Sequence, residues 1–328
     1  MGTYNNDNLN GYVNVGNTGY IPAFVEPGIP VALVLAPKGT IIPASAMASQ
    51  SAFATYVNAK FTADARSGRW YALTKLDKFE DKTKDTSTED TGIFNLSIYS
   101  FPKKFSFRYM QNMGNYIEMT RFNNWGGDIF IIDSNGNWWN TYDSTGAKAF
   151  SLTQLFVPSH KPQTTTTGNQ YMVECTLTDV AEMEQNFKIY QANYNASNIT
   201  MLQNLVFTDL TATLGTPLSI TPTTTAVLGI KFGQDSLDFI EQYASVLTNA
   251  CIVAFNTTTS AAATISTSTF STITVAGQVY WYVKCVLAVA PTASDVVRFM
   301  SAAPSVVNGV IANSNVVTEI PNAALHTF

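Results

Sequence analysis

After about residue 200 the chain almost stops carrying charge, and this limits what that part can fold into. Lys231, Lys284 and Arg298 are the only basic residues there, and Thr, Ser, Ala and Val dominate. Strand-like runs follow one another: LVFTDLTATL, TAVLGIKFG, LTNACIVAFN, AATISTSTF, STITVAG, QVYWYVKCVLAV and DVVRFMSAA. Turns such as Gly233-Gln234-Asp235 and Ala276-Gly277 separate them at short spacing, and QDSLDFIEQYASV reads as a short helix. Short β-prone runs between turn signals are the pattern of an antiparallel sandwich or barrel. The shift in character places a domain boundary near 195–203.

The preceding part is mixed. Residues 1–28 are rich in Gly and Asn and lack helical periodicity, so they read as an extended arm that orders against something else. VALVLAPKGTIIP is a buried strand, a turn at Pro37-Lys38-Gly39 and a second short apolar run. Residues 44–65 form the best helix: Ser49 or Ser51 caps it, and Phe53, Tyr56, Val57, Lys60 and Phe61 fall near i, i+3, i+4 spacing. QYMVECTLTDV alternates, with Tyr171, Val173, Cys175 and Leu177 on one face, whereas AEMEQNFKIYQANYN reads as a helical turn or linker. The fold expected is mainly β with minor α. A β-sandwich or barrel carrying one helix spans 29–198, and a second β-sandwich, Ig-like or jelly-roll-like, with a C-terminal tail spans 199–328.

IFIIDSNGNWWNTY is the most chemically suggestive stretch. Asp133, Asn135 and Asn137 alternate as calcium ligands would, but Gly136 falls at position 4 instead of 6 and Ser144 stands where a bidentate Glu is required. Asn135-Gly136 between apolar runs instead signals a hairpin through a primed turn, pairing Asp128–Ile132 with Trp138–Tyr142. Trp138 and Trp139 then point to opposite faces, so at least one leaves the local core and is a candidate contact anchor.

Charged residues are 12% of the chain, about half the usual ~25%, beside 46% hydrophobic residues. A surface so poor in charge suits a subunit covered by copies of itself. The net charge of −5 and the absence of a polybasic patch give no general attraction to nucleic acid. The charged run KFEDKTKDTSTEDTG reads as an exposed loop or long hairpin tip. Its Lys78, Glu80, Asp81, Lys82, Lys84 and Asp85 are candidates for contact with a neighbouring subunit. Cys175, Cys251 and Cys285 are too widely spaced for a disulfide framework or zinc site and read as free buried thiols, although a Cys251–Cys285 bridge stays open. The N-terminus lacks the features of a signal peptide, and no apolar run approaches a membrane span.

Material for catalysis is scarce. His160 and His326 are the only histidines, and neither has a neighbouring acid and nucleophile in sequence. No phosphate-binding glycine motif occurs. Asp128 and Asp133 as a glycosidase pair would lie on opposite faces of one strand. A non-enzyme without cofactor or metal is expected.

Several segments taken together carry a resemblance. VALVLAPKGTIIPAS before a helix, RWYALTKLDKFEDKT, IFIIDSNGNWWNTYDSTGAKAFSLTQLFVP and MSAAPSVVNGV, in that order, resemble structural proteins of tailed bacteriophages that infect Bacteroidetes-type hosts. The resemblance covers most of the chain. This chain departs from it at Asn140-Thr141, where Gly-Thr is expected, and at Lys148-Ala149-Phe150, where Lys-Gly-Phe is expected. The resemblance implies a virion component of the tail-tube kind, made in the host cytoplasm, with a β core, a helix and an Ig-like β domain. Its partners would be copies of itself and other virion proteins, with DNA at most passing through a lumen and no membrane. In that reading the arm 1–28 and the loop 78–92 bridge neighbours. Two other readings stand beside it: a capsid protein of two jelly-roll-like barrels split near residue 200, and an adhesin that stacks glycans on Trp138 and Trp139.

Overall fold

The computed structural model describes residues 27–74, 76–84, 87–90, 95–99, 101–109, 113–162, 171–199, 202, 205–233, 238–312 and 323–328. The expected arm therefore lies outside the described residues apart from its last two positions. The protein is mainly β and divides into two compact units, residues 1–61 with 67–200, and residues 62–66 with 201–328.

The first unit contains β1 (Pro30–Ala36), β2 (Ile41–Pro43), β3 (Tyr71–Leu73), β4 (Leu76–Asp81), β5 (Ser87–Asp90), β6 (Asn95–Tyr99), β7 (Lys104–Tyr109), β8 (Asp128–Asp133), β9 (Asn137–Asp143), β10 (Gly146–Lys148), β11 (Phe150–Phe156), β12 (Tyr171–Leu177) and β13 (Phe187–Gln191). Its helices are α1 (Gln50–Phe61), α2 (Met113–Thr120) and α3 (Val180–Glu184). All these strands except the β5–β6 hairpin belong to one 11-stranded sheet.

β1 and β8 pair antiparallel at the centre of that sheet. Ala32, Val34, Phe130 and Ile132 enter one core, while Leu33, Leu35, Ile129 and Ile131 enter another. Burial on both faces is why VALVLA and IFII are continuously apolar, where a half-exposed strand would alternate. The sheet forks at β8: Ile131 and Ile132 pair with Trp139 and Trp138 of β9, whereas Ile129 pairs with Phe150 of β11. From the fork, β11-β12-β7-β4 curls back until β4 lies beside β1, wrapping an open barrel around the second core.

α1 covers the other face. Phe53, Val57 and Phe61 are buried at four-residue spacing, one stripe of the helix. Each such side chain contributes roughly 1.5–3 kcal/mol of burial. Ser49 Oγ accepts from Ala52 N at 3.1 Å and is the cap, which settles the choice between Ser49 and Ser51. The helix is shorter than the expected 44–65, because Ala44–Met47 is a separate 3-10 turn. β13 corrects the linker reading of AEMEQNFKIYQANYN: Phe187–Gln191 pairs with β9 along its length. Its sequence hides this, since Lys188 is a buried lysine in a five-residue strand.

The second unit contains β14 (Leu205–Asp209), β15 (Thr225–Phe232), β16 (Ile252–Asn256), β17 (Ala261–Ala263), β18 (Ile265–Val275), β19 (Gln278–Leu287), β20 (Val296–Ser301) and β21 (Ala324–Thr327). It adds helices α4 (Thr211–Leu214), α5 (Phe239–Tyr243) and α6 (Pro304–Val310). One four-stranded sheet runs β14-β15-β19-β18 and the other β17-β16-β20-β21, all antiparallel. Lettered along the chain with β17 as C′, these are ABED and C′CFG, the strand order of an immunoglobulin-type sandwich. Of the two sandwich types expected here, this order selects the Ig-like one over the jelly roll.

The inner faces meet in a core that includes Phe207, Leu228, Val283, Val297 and Phe299. The bridge that staples antibody domains between B and F has no counterpart. Cys285 lies on the E strand, Cys251 precedes the C strand, and both are free and buried, as is Cys175. Burial pushes the Cys175 and Cys285 thiols up to about 12, so they are inert packing groups at neutral pH.

Candidate interaction surfaces

The β8–β9 hairpin turns on Asp133. Its Oδ1 accepts from Asn135 N and Asn137 N, both at 2.9 Å. Its Oδ2 accepts from Gly28 N at 2.8 Å, Asn137 Nδ2 at 3.1 Å and Trp139 Nε1 at 3.2 Å. Five N–H groups aimed at one buried carboxylate present positive ends where a calcium ion would have to sit. DSNGN is therefore a turn organised by an aspartate. The turn is not the primed type expected from Asn-Gly. Gly136 has φ 76°, but Asn135 is absent from the positive-φ residues, and Gly136 N bonds back to Asp133 O at 3.0 Å. That is an ordinary turn followed by a left-handed glycine. A side chain at position 136 would meet Asn195 Oδ1 at 2.0 Å as well as the unfavourable φ.

Trp138 and Trp139 do point to opposite faces, but neither leaves the core. Trp138 is 1% exposed and Trp139 8%. Trp138 meets Phe53 of α1 edge-on at 5.1 Å, and its Nε1 donates to Tyr194 O at 3.0 Å. Trp139 meets Phe187 edge-on at 5.4 Å inside the barrel core. The reason is the layering: this part of the sheet is covered on both faces, so alternation sends each ring into a different core. The pair is no contact anchor on the surface of this chain, and the adhesin reading loses its stacking platform.

Of the loop and the long hairpin tip expected for the charged run, the structure has the hairpin: β4 and β7 are its limbs, and the β5–β6 pair lies between them in the chain. Leu76–Asp81 forms β4, which pairs with β7 with a register shift between Asp77 and Glu80, and Lys78 adopts φ 46° there. Lys82 N continues the pairing to Lys104 O at 2.7 Å. The candidates Lys78, Glu80 and Lys82 join an ion-pair lattice. Lys78 lies 3.2 Å and Lys82 3.9 Å from Glu80, and Lys82 and Lys104 lie 3.5 and 2.9 Å from Glu174. Asp81 Oδ1 accepts from Thr83 N at 2.8 Å, and Lys84 stands 5.5 Å over the Phe101 ring. Asp85 lies outside the described residues. Beside the lattice is a shallow depression of about 230 Å³ lined by Lys104, Gln154, Phe156, Glu174 and Thr176. Burial pushes the Glu174 carboxyl up, but Lys104 and Lys82 outweigh it and hold it below its ordinary value. Each exposed pair is worth about 0–1 kcal/mol, so this lattice adds little to stability.

The two strand-8 aspartates are far apart. Five residues of extended chain separate Asp128 from Asp133, about 16 Å, beyond the spacing of paired glycosidase carboxylates. Asp128 is buried and accepts from Gly39 N at 2.6 Å. Close by, buried Glu182 of α3 accepts from Lys148 Nζ at 3.0 Å, Ser151 N at 2.7 Å and Ser151 Oγ at 2.8 Å. Burial raises the Asp128 carboxyl above its ordinary value, against the Gly39 N–H, with Glu182 adding to the rise and Lys148 opposing it. The folded protein thus holds a proton there that the unfolded chain has already released. Stability from this group falls as pH rises from the ordinary value of about 3.9 through the folded one. Relative to the native chain, Asp128→Asn is expected to gain stability from about pH 3 to pH 7. Denaturant unfolding of both proteins across that range checks it, and parallel curves would refute it.

The histidines serve packing. His326 Nδ1 lies 2.9 Å from Asp209 Oδ2, tying β21 to β14, and His160 meets the Tyr116 ring at 5.6 Å. Among the described residues no group of three or more His, Cys, Asp or Glu side chains is arranged to hold a metal ion, and no helix is long and apolar enough to cross a membrane. No family model, curated protein or solved structure matches this chain.

Proposed function

We propose that the protein is a non-enzymatic structural subunit of a bacteriophage virion that assembles with copies of itself, in the manner of a tail-tube ring. The observation that supports this most is the uncharged stretch of residues 242–283, which lacks Asp, Glu, Lys, Arg and His and includes the partly exposed edge strand β18 of a folded Ig-like unit. A surface without charge presents another copy with no ions to desolvate and no like charges to oppose. The sequence resemblance to phage structural proteins points the same way, as does a mainly β first unit followed in sequence by an Ig-like sandwich. Other virion proteins would be further partners. DNA would pass through a lumen without specific recognition, which a net charge of −5 favours by repelling phosphate.

The test is electron microscopy and sedimentation of the purified full chain at rising concentration. Rings of constant diameter that stack into tubes are the expected result. Closed shells would replace the tail-tube assignment with a capsid one, and a monomer at every concentration would overturn self-assembly.

A further inference from the structure

β18 is an eleven-residue strand at the open edge of the ABED sheet, and β19 is its one partner in that sheet. The two are joined by Ala276-Gly277, with φ 50° and 83°, a two-residue primed turn. Such a turn makes Val275 and Gln278 a hydrogen-bonded pair, which sets the alternation along the strand. Ser268, Phe270, Thr272 and Thr274 consequently direct their N–H and C=O groups away from β19. No hydrogen bond from another described residue reaches these groups.

The hairpin also outruns the sheet that should cover it. β18 and β19 have 11 and 10 residues, whereas the strands of the opposite sheet have 3 to 6. Phe270 packs against the core, but Thr272 and Thr274 on the same face are exposed, and Val279 opposite Thr274 is 56% exposed. Proteins usually blunt such an edge with lysine, proline, a bulge or brevity. Here residues 242–283 contain no charge and no proline, and the one register shift lies at the base, between Ile265 and Thr267.

We propose that this edge is an assembly contact: β18 pairs antiparallel with β18 of a second copy across a two-fold axis through Ser271. That axis sets Phe270 opposite Thr272 and Ser268 opposite Thr274, so all four outward-facing residues enter one ladder. The interface is self-complementary, as a two-fold contact requires. Thr and Ser meet Phe, Thr and Ser across it, and no like charges are opposed. A strand of another protein would satisfy the same backbone groups, but this uncharged edge carries nothing to select a partner of particular charge, and a second copy meets it with no charge opposed. The inference rests on the self-assembly reading and adds a contact that joins copies in pairs, separate from the head-to-tail contacts that close a ring.

Three full-chain variants test it. Ser271→Cys places a thiol at a non-hydrogen-bonded pair whose Cα atoms stand about 4.5 Å apart, within disulfide range. Because the native cysteines are buried, mild oxidation should give a covalent dimer on non-reducing gels. Thr272→Pro removes an outward donor and leaves the β19 ladder whole, and the symmetric contact loses it twice. Self-association by sedimentation should weaken about tenfold. Thr272→Lys places a charge on the same exposed position and should weaken association as well, which covers the case in which the proline variant fails to fold. Unchanged association in the folded Thr272 variants, together with no covalent dimer of Ser271→Cys, would overturn this contact and leave self-assembly standing. A native chain that stays monomeric would overturn both.

Discussion

Trp138→Ala is expected to lower the stability of the first unit by about 3–5 kcal/mol, the range for deleting a buried tryptophan. The ring is 1% exposed and sits between the sheet and α1, 5.1 Å from Phe53 and 5.8 Å from Phe130. Its removal opens a cavity among aromatic neighbours that cannot collapse without moving the helix. It also leaves Tyr194 O without its donor. Trp138→Phe keeps much of the packing and loses the hydrogen bond, so a smaller loss of about 1–2 kcal/mol is expected. Denaturant unfolding followed by tryptophan emission checks this, because Trp70, Trp125, Trp138 and Trp139 lie in the first unit and Trp281 alone in the second. A loss below about 1 kcal/mol for the alanine variant would mean that the ring is no core residue.

Asp133→Asn should cost about 2–4 kcal/mol although it changes one atom. An amide offers one oxygen in place of two. Whichever way it turns, its NH2 group faces N–H donors that the carboxylate now satisfies: Asn135 N and Asn137 N on one side, or Gly28 N, Asn137 Nδ2 and Trp139 Nε1 on the other. Those donors are held by the hairpin backbone and by a packed indole, so they cannot swing away to water. Thermal and chemical unfolding of the variant measures the loss. Added calcium is expected to leave the native protein's midpoint unmoved. A calcium-dependent rise, or a variant within about 0.5 kcal/mol of the native chain, would restore the metal-loop reading.

The hairpin shows how far local pattern reaches. Apolar runs on either side of Asn-Gly placed both strands and put Trp138 and Trp139 on opposite faces. The expected pairing of Asp128–Ile132 with Trp138–Tyr142 holds only next to the turn, at Ile131 and Ile132, because the sheet forks and Ile129 pairs with β11. The kind of turn was out of reach, because the Asp133 side chain organises the loop and leaves Gly136 alone with positive φ. The charged run illustrates a second limit. Charges interrupt apolar periodicity in a loop and equally in an edge strand whose outer side chains face water, so the sequence leaves loop and hairpin both open, and the pairing of β4 with β7 decides between them. At β13 the opposite happens. A buried lysine and flanking Asn and Gln disguise a strand that β9 holds by its backbone. The runs AATISTSTF and STITVAG read as two strands because Ser271 breaks no rule and makes none. They form one long strand, and its length is what leaves an edge uncovered.

Sequence alone determined the β character of the chain, the change near residue 200 and the α1 stripe, since each depends on side chains a few positions apart. Tertiary structure decided the rest. Whether a strand face meets water or a second layer depends on elements remote in sequence, as when α1 and the curled limb bury both tryptophans. Whether an edge stays open depends on which strand ends the sheet. The ABED and C′CFG order, which leaves β18 last, is a property of pairing between distant segments. No run of neighbouring residues encodes it.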